Sequence, residues 1–99
     1  MNTTRRVVIT GLGTVNPLGN DVPAFWEGIR QGRSGVGAIT RFDAAALDVK
    51  IAAEVKNFEP ERWIEPKAAR KMARFTQYAV AATAQAMQDA GLSRETINP

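Results

Sequence analysis

Arg6-Val7-Val8-Ile9-Thr10 is a short run rich in β-branched residues that stops at Gly11. Its apolar character is continuous rather than alternating, which predicts a strand buried on both faces, as in a parallel or mixed central sheet. Gly11 to Asn20 is rich in turn formers and reads as a loop. Asn20 or Asp21 can cap a helix whose first turn holds Pro23. Val22, Phe25, Trp26 and Ile29 recur at helical steps and predict its buried stripe, with Gly32 as the stop. Arg33 to Leu47 has no clean period and reads as a loop, with room for one helical turn at Ala44-Ala45-Ala46.

Val49, Ile51, Ala53 and Val55 then alternate with Lys50, Ala52, Glu54 and Lys56. That period predicts a half-exposed strand with the first set inward. Phe58 and Trp63 flank Pro60 in a connection, and Pro66 opens the longest element. From Pro66 to Ala90 the chain is rich in helix formers, as one helix or a short one leading into a longer one. Met72, Phe75, Ala79, Ala82, Ala86 and Ala90 make a narrow stripe of mostly small residues, suited to close approach by a neighbour. Gly91 stands where a left-handed cap belongs, and Leu92 can supply the apolar contact that accompanies it.

A buried strand followed by a long helix is the opening of a βαβ-type arrangement, in which the helix leads to another strand of the same sheet. Only one run has fully buried character, and two strands do not make a stable central sheet. The pattern therefore predicts an α/β fold that is incomplete within these 99 residues. A small α+β module that pairs with itself or with another subunit is the alternative.

Composition sharpens this mainly by what is missing. Hydrophobic residues at 44% and charged residues at 23% suit a soluble globular chain. There is no Cys and no His, so neither a Cys–His nor a Ser–His nucleophile can be assembled from these residues, and no thiolate metal site either. No aliphatic run is longer than Ala79 to Ala82, far short of the roughly 20 residues of a membrane span. Arg5-Arg6 and the apolar residues after it lack the length of a signal peptide, so a cytoplasmic location is expected.

Gly11-x-Gly13 after a strand invites a dinucleotide-binding reading. The third glycine is absent, Asn16 standing in its place, and no helix begins directly after the pair, so a structural turn is expected instead. Ser34 has no base to activate it. Asp43, Asp48, Glu54, Glu59, Glu61 and Glu65 show no metal-ligand spacing, and a solvated surface role is expected for each. No catalytic, cofactor-binding or metal-binding residue is assigned.

The net charge is +3, and Lys67, Arg70, Lys71 and Arg74 concentrate it. On one continuous helix they would fall within about a 100° arc, centred about 120° from the small-residue stripe. Cations near a helix N-terminus gain nothing from its dipole and repel one another. Two readings stay open: a plain solvated face, or a face kept for an anionic partner. Nucleic acid is a poor candidate for that partner, because no stacking platform or recognised DNA-binding unit accompanies the cations.

The order of motifs resembles one family. Arg5 to Gly13, Asn16-Pro17-Leu18-Gly19-Asn20, Phe25-Trp26, Gly32-x-Ser34-Gly35, Ile39 and Arg41-Phe42-Asp43 resemble the opening of β-ketoacyl-acyl-carrier-protein synthases. Lys67, Arg70-Lys71-Met72, Phe75, Gln77-Tyr78 and Gln85 to Leu92 are similar to the elongating type II enzymes in particular. The resemblance implies that residues 1–99 are the N-terminal part of the first half of a thiolase-like αβαβα fold, in a homodimeric enzyme. It implies fatty-acyl elongation by decarboxylative Claisen condensation, using a cysteine and two histidines that lie later in the chain. No cofactor is implied beyond the phosphopantetheine of the acidic acyl carrier protein. It assigns Lys67, Arg70 and Lys71 to the surface that docks this carrier, while Arg74 departs from the family pattern. A small non-catalytic module that binds carrier protein or synthase subunits is the alternative function.

Overall fold

Asp21 opens the first helix. Its extended backbone lets the carboxylate accept from the Ala24 N–H at 2.8 Å, and α1 runs Val22–Arg30 with Pro23 in its first turn. Gly32 ends it with φ +68°. The Gly32 N–H donates to the Ile29 carbonyl and the Arg33 N–H to the Gly28 carbonyl, which satisfies two otherwise orphan acceptors. The computed structural model describes residues 4–97. Within them follow β1 (Val36–Ala38), β2 (Ile51–Ala53), a 3₁₀ turn at Pro60–Arg62, α2 (Pro66–Ala69) and α3 (Arg74–Ala90). The chain is thus of mixed α/β class. At the end of α3, Gly91 takes φ +70° and the same two-bond motif forms, from Gly91 to Gln88 and from Leu92 to Met87.

β1 and β2 pair antiparallel, with Val36 opposite Ala53, Gly37 opposite Ala52 and Ala38 opposite Ile51. The Glu54 carboxylate, just past β2, ties it to the residues that follow β1, accepting from the Thr40 hydroxyl at 2.8 Å and from the Thr40 and Arg41 N–H groups. The Thr40 hydroxyl, followed by these amides and the Arg41 charge, holds its pKa below the usual carboxylate value. Arg41 reaches across to donate to the Val55 carbonyl and the Tyr78 hydroxyl, and Tyr78 meets Phe58 edge-on at 5.0 Å. The buried apolar set is small: Ala44, Ile64, Ala69 and Ala81.

Several expectations are corrected. Arg6–Thr10 forms no strand among the described residues, and Val7 is 95% exposed. A strand needs a neighbour to pair with, and none of the described residues supplies one. Trp26 and Ile29 face solvent, so the predicted stripe of α1 is only half-covered, at Val22 and Phe25. The expected loop from Arg33 to Leu47 contains β1, and a hydrogen-bonded turn rather than a helical one spans Ala44 to Leu47. In β2 the inward position is Ala52, while Ile51 and Ala53 are exposed. The predicted alternation is present, but its apolar face is uncovered.

The long helix takes its two-piece form, broken between Ala69 and Arg74. The Ala69 carbonyl accepts from both the Met72 N–H and the Gln77 side-chain amide, each at 3.0 Å. Both lone pairs are then used, and the Ala73 N–H loses its helical acceptor. The single arc expected of Lys67, Arg70, Lys71 and Arg74 on one continuous helix therefore does not form, because the four span two helices. Of the small-residue stripe, Ala82, Ala86 and Ala90 are half-buried, whereas Phe75 and Ala79 are exposed.

Candidate functional site

Glu65 caps α2. Its two carboxylate oxygens accept from the Lys67 and Ala68 N–H groups, both at 3.2 Å, and Pro66 pre-sets the first turn. Four residues are too few for a helix to persist by itself. This one is held by its packing on the 3₁₀ turn, by buried Ala69 and by the Gln77 bond. Lys67 lies in α2, Arg70 closes it, Lys71 follows in the connection, and Arg74 is the first residue of α3. The structure thus brings Lys67, Arg70 and Lys71 onto one exposed corner, with Arg74 next along the chain.

All four cations are exposed, and among the described residues none has an ion pair or a side-chain hydrogen bond. The one ion pair there is Arg30–Glu27, at 2.9 Å on α1. Arg70 lines a cleft of about 210 Å³ with Pro60, Glu61, Pro66, Ala69 and Gln77, yet Glu61 does not pair with it. Unpaired charges on a folded corner are chemically suited to an acidic surface, through long-range attraction and rim ion pairs.

The Gly11–Asn20 loop is structural. A Cβ on Gly11 would stand 2.7 Å from the Ala90 nitrogen, and one on Gly13 would overlap the Ala82 carbonyl and lie 2.8 Å from the Gln85 Cβ. The loop backbone therefore lies directly on the Ala82–Ala86–Ala90 face, the close approach that the small stripe predicts. The Leu12 N–H donates to Asp89 at 3.0 Å and the Thr14 N–H to Gln85 at 3.1 Å. Both amides are thus occupied and turned to α3, in keeping with a structural turn rather than a phosphate cradle.

Sequence reasoning missed Gln85, which is only 8% exposed. Its amide accepts from the Thr14 N–H and donates to the Asn20 carbonyl at 2.7 Å, clamping the loop at Thr14 and at its last residue. The signal was there: a glutamine set between Ala84 and Ala86, on the small-residue side of α3. The carboxylates were also undervalued. Glu65 caps α2, Glu54 anchors the sheet, and Asp43 accepts from the Ala45 N–H at 3.0 Å. Among the described residues no group of three metal-ligating side chains converges, and no helix is long and apolar enough to cross a membrane.

Comparison with known proteins gives a consistent set of likenesses. The family profile described as "Beta-ketoacyl synthase, N-terminal domain" matches residues 4–99. The chain is 43% identical over 94 residues to the 3-oxoacyl-[acyl-carrier-protein] synthase 2 of Synechocystis, covering 95% of this chain and 23% of that one. To the protein of the same name from Staphylococcus aureus it is 48% identical over 92 residues, covering 93% and 22%. Among solved structures, the ishigamide ketosynthase/chain length factor superposes with a TM-score of 0.86 at 44% identity, over 97% of this chain and 24% of that one. The chain spans less than a quarter of the length of these relatives.

Proposed function

The chain belongs to the β-ketoacyl synthase family through that family's N-terminal domain, and from that premise we propose that it is the carrier-docking and scaffold portion of a 3-oxoacyl-acyl-carrier-protein synthase. The parent is a cytoplasmic homodimer of thiolase-like αβαβα halves that elongates fatty acyl chains. In that reaction a cysteine takes the acyl group from one carrier thioester. Malonyl carrier loses CO₂, and the resulting carbanion attacks the acyl thioester and expels the cysteine thiol. Two histidines promote the decarboxylation and stabilise the developing charge. None of these three side chains can come from residues 1–99, which contain no Cys or His. The 99 residues alone are accordingly inactive, and no cofactor is assigned to them.

The observation that carries the docking part is the exposed, unpaired corner of Lys67, Arg70 and Lys71. Its backbone is fixed by the Glu65 cap and the Gln77 bond, so the cations are presented rather than trailing in solvent. An acidic carrier protein supplies the opposite charge. Reversing all three, as Lys67→Glu, Arg70→Glu and Lys71→Glu in the full-length synthase, is expected to weaken carrier binding at least tenfold at low salt, with a smaller loss at high salt. A titration with acyl-loaded carrier protein checks this, and unchanged affinity in the triple variant would sink the docking assignment.

A further inference from the structure

Arg74 differs from its three neighbours in what surrounds it. It is the first residue of α3, a helix of 17 residues, and no acidic residue occupies that first turn. Ala73 stands at the cap position and offers no side-chain acceptor, so the helix N-terminus keeps its unsatisfied N–H groups and its partial positive charge. A cation there is disfavoured by the dipole, and it is disfavoured again by Arg70 and Lys71 just ahead of it in the chain. Nothing on the described chain offsets this, since Arg74 is exposed and has neither an ion pair nor a side-chain hydrogen bond there. An acid at the same position would stabilise the helix.

We propose that Arg74 is a fourth contact residue for the acidic carrier protein, its guanidinium pairing with a carboxylate of that partner. The inference rests on the docking assignment of Lys67, Arg70 and Lys71 and extends that surface from α2 onto the start of α3. A planar guanidinium can take a carboxylate through two parallel N–H···O bonds, which fixes orientation as well as adding attraction. Arg74 would thereby set how the carrier is turned on the corner, where the other cations mainly draw it in. Local helix stability is given up at this residue for contact with the partner.

That trade makes the proposal testable, because one substitution should move stability and binding in opposite directions. Full-length synthase carrying Arg74→Glu is compared with wild type, with Arg74→Gln and with the triple variant at Lys67, Arg70 and Lys71. Thermal midpoints are measured alongside affinities for acyl-loaded carrier protein. Arg74→Glu is expected to raise the midpoint by about 1 °C, yet to weaken carrier binding about fivefold at low salt and less at high salt. Arg74→Gln should fall between the two on both readouts. A raised midpoint with unchanged affinity, while the triple variant loses affinity, would make Arg74 a plain solvated cation and overturn this inference alone. If the triple variant also binds normally, the docking assignment falls and this inference falls with it. If Arg74→Glu abolishes binding to single-stranded DNA but leaves carrier binding intact, the partner is a nucleic acid and the proposal is wrong.

Discussion

A methyl group at Gly13 would sit on the Ala82 carbonyl, a backbone atom that cannot move without shifting α3. The Gly13 position therefore couples the first loop to the longest helix, and its neighbour Thr14 is tied to the same helix through Gln85. Overpacking of this kind typically costs about 1–3 kcal/mol. Gly13→Ala in the full-length protein is expected to lose about 2 kcal/mol or more, read as a lower urea midpoint with unchanged slope. A midpoint equal to wild type would mean that the loop does not lie on α3. The same pairing of Gly11 and Gly13 was legible in sequence as structural only by elimination, from the missing third glycine. What the glycines do became visible with Ala82, Ala86 and Ala90 in place, some 70 residues away.

At the scale of elements, helix ends were the most legible part of the chain. Asp21, Gly32, Pro66 and Gly91 each act through bonds within a few residues, so local chemistry is enough to place them. The break before α3 was not legible beyond the allowance for two pieces. Ala-Arg-Lys-Met-Ala-Arg consists of good helix formers, and the interruption coincides with Gln77 reaching back to Ala69. The weak point this leaves is Ala73, a cap position without a side-chain acceptor. Ala73→Ser is expected to stabilise by about 1 kcal/mol, since Ser at this position can accept from the second or third N–H of α3. A rise in the thermal midpoint checks it. An unchanged or lower midpoint would show that the N-terminus of α3 is already satisfied in the complete protein. Strand pairing was the least legible feature. β1 was missed because Val36-Gly37-Ala38 has no period of its own, and its existence depends on a partner beyond a long connection.

For the molecule as a whole, the described fold leaves much apolar surface in water. Its accessible area is 8072 Å², against about 5,500 Å² for a compact monomer of this mass. Its radius of gyration is 17.6 Å, against about 13 Å for a compact domain of this length. Val7, Ile9, Trp26, Val49, Ile51 and Phe75 are all more than half exposed. These are positions at which the apolar pattern predicted burial, and the predictions fail together for one physical reason. The pattern marks apolar faces that nothing among the described residues covers. The basic corner was legible as a charge cluster, but its proposed assignment to a carrier came from family resemblance, because charge alone does not name a partner. This view of the chain as one part of a larger condensing enzyme is tested most directly by the intact mass of the cellular polypeptide that carries this sequence. A mass several times 10.8 kDa is expected. A native product of 10.8 kDa would contradict it and make the chain a free-standing binding module.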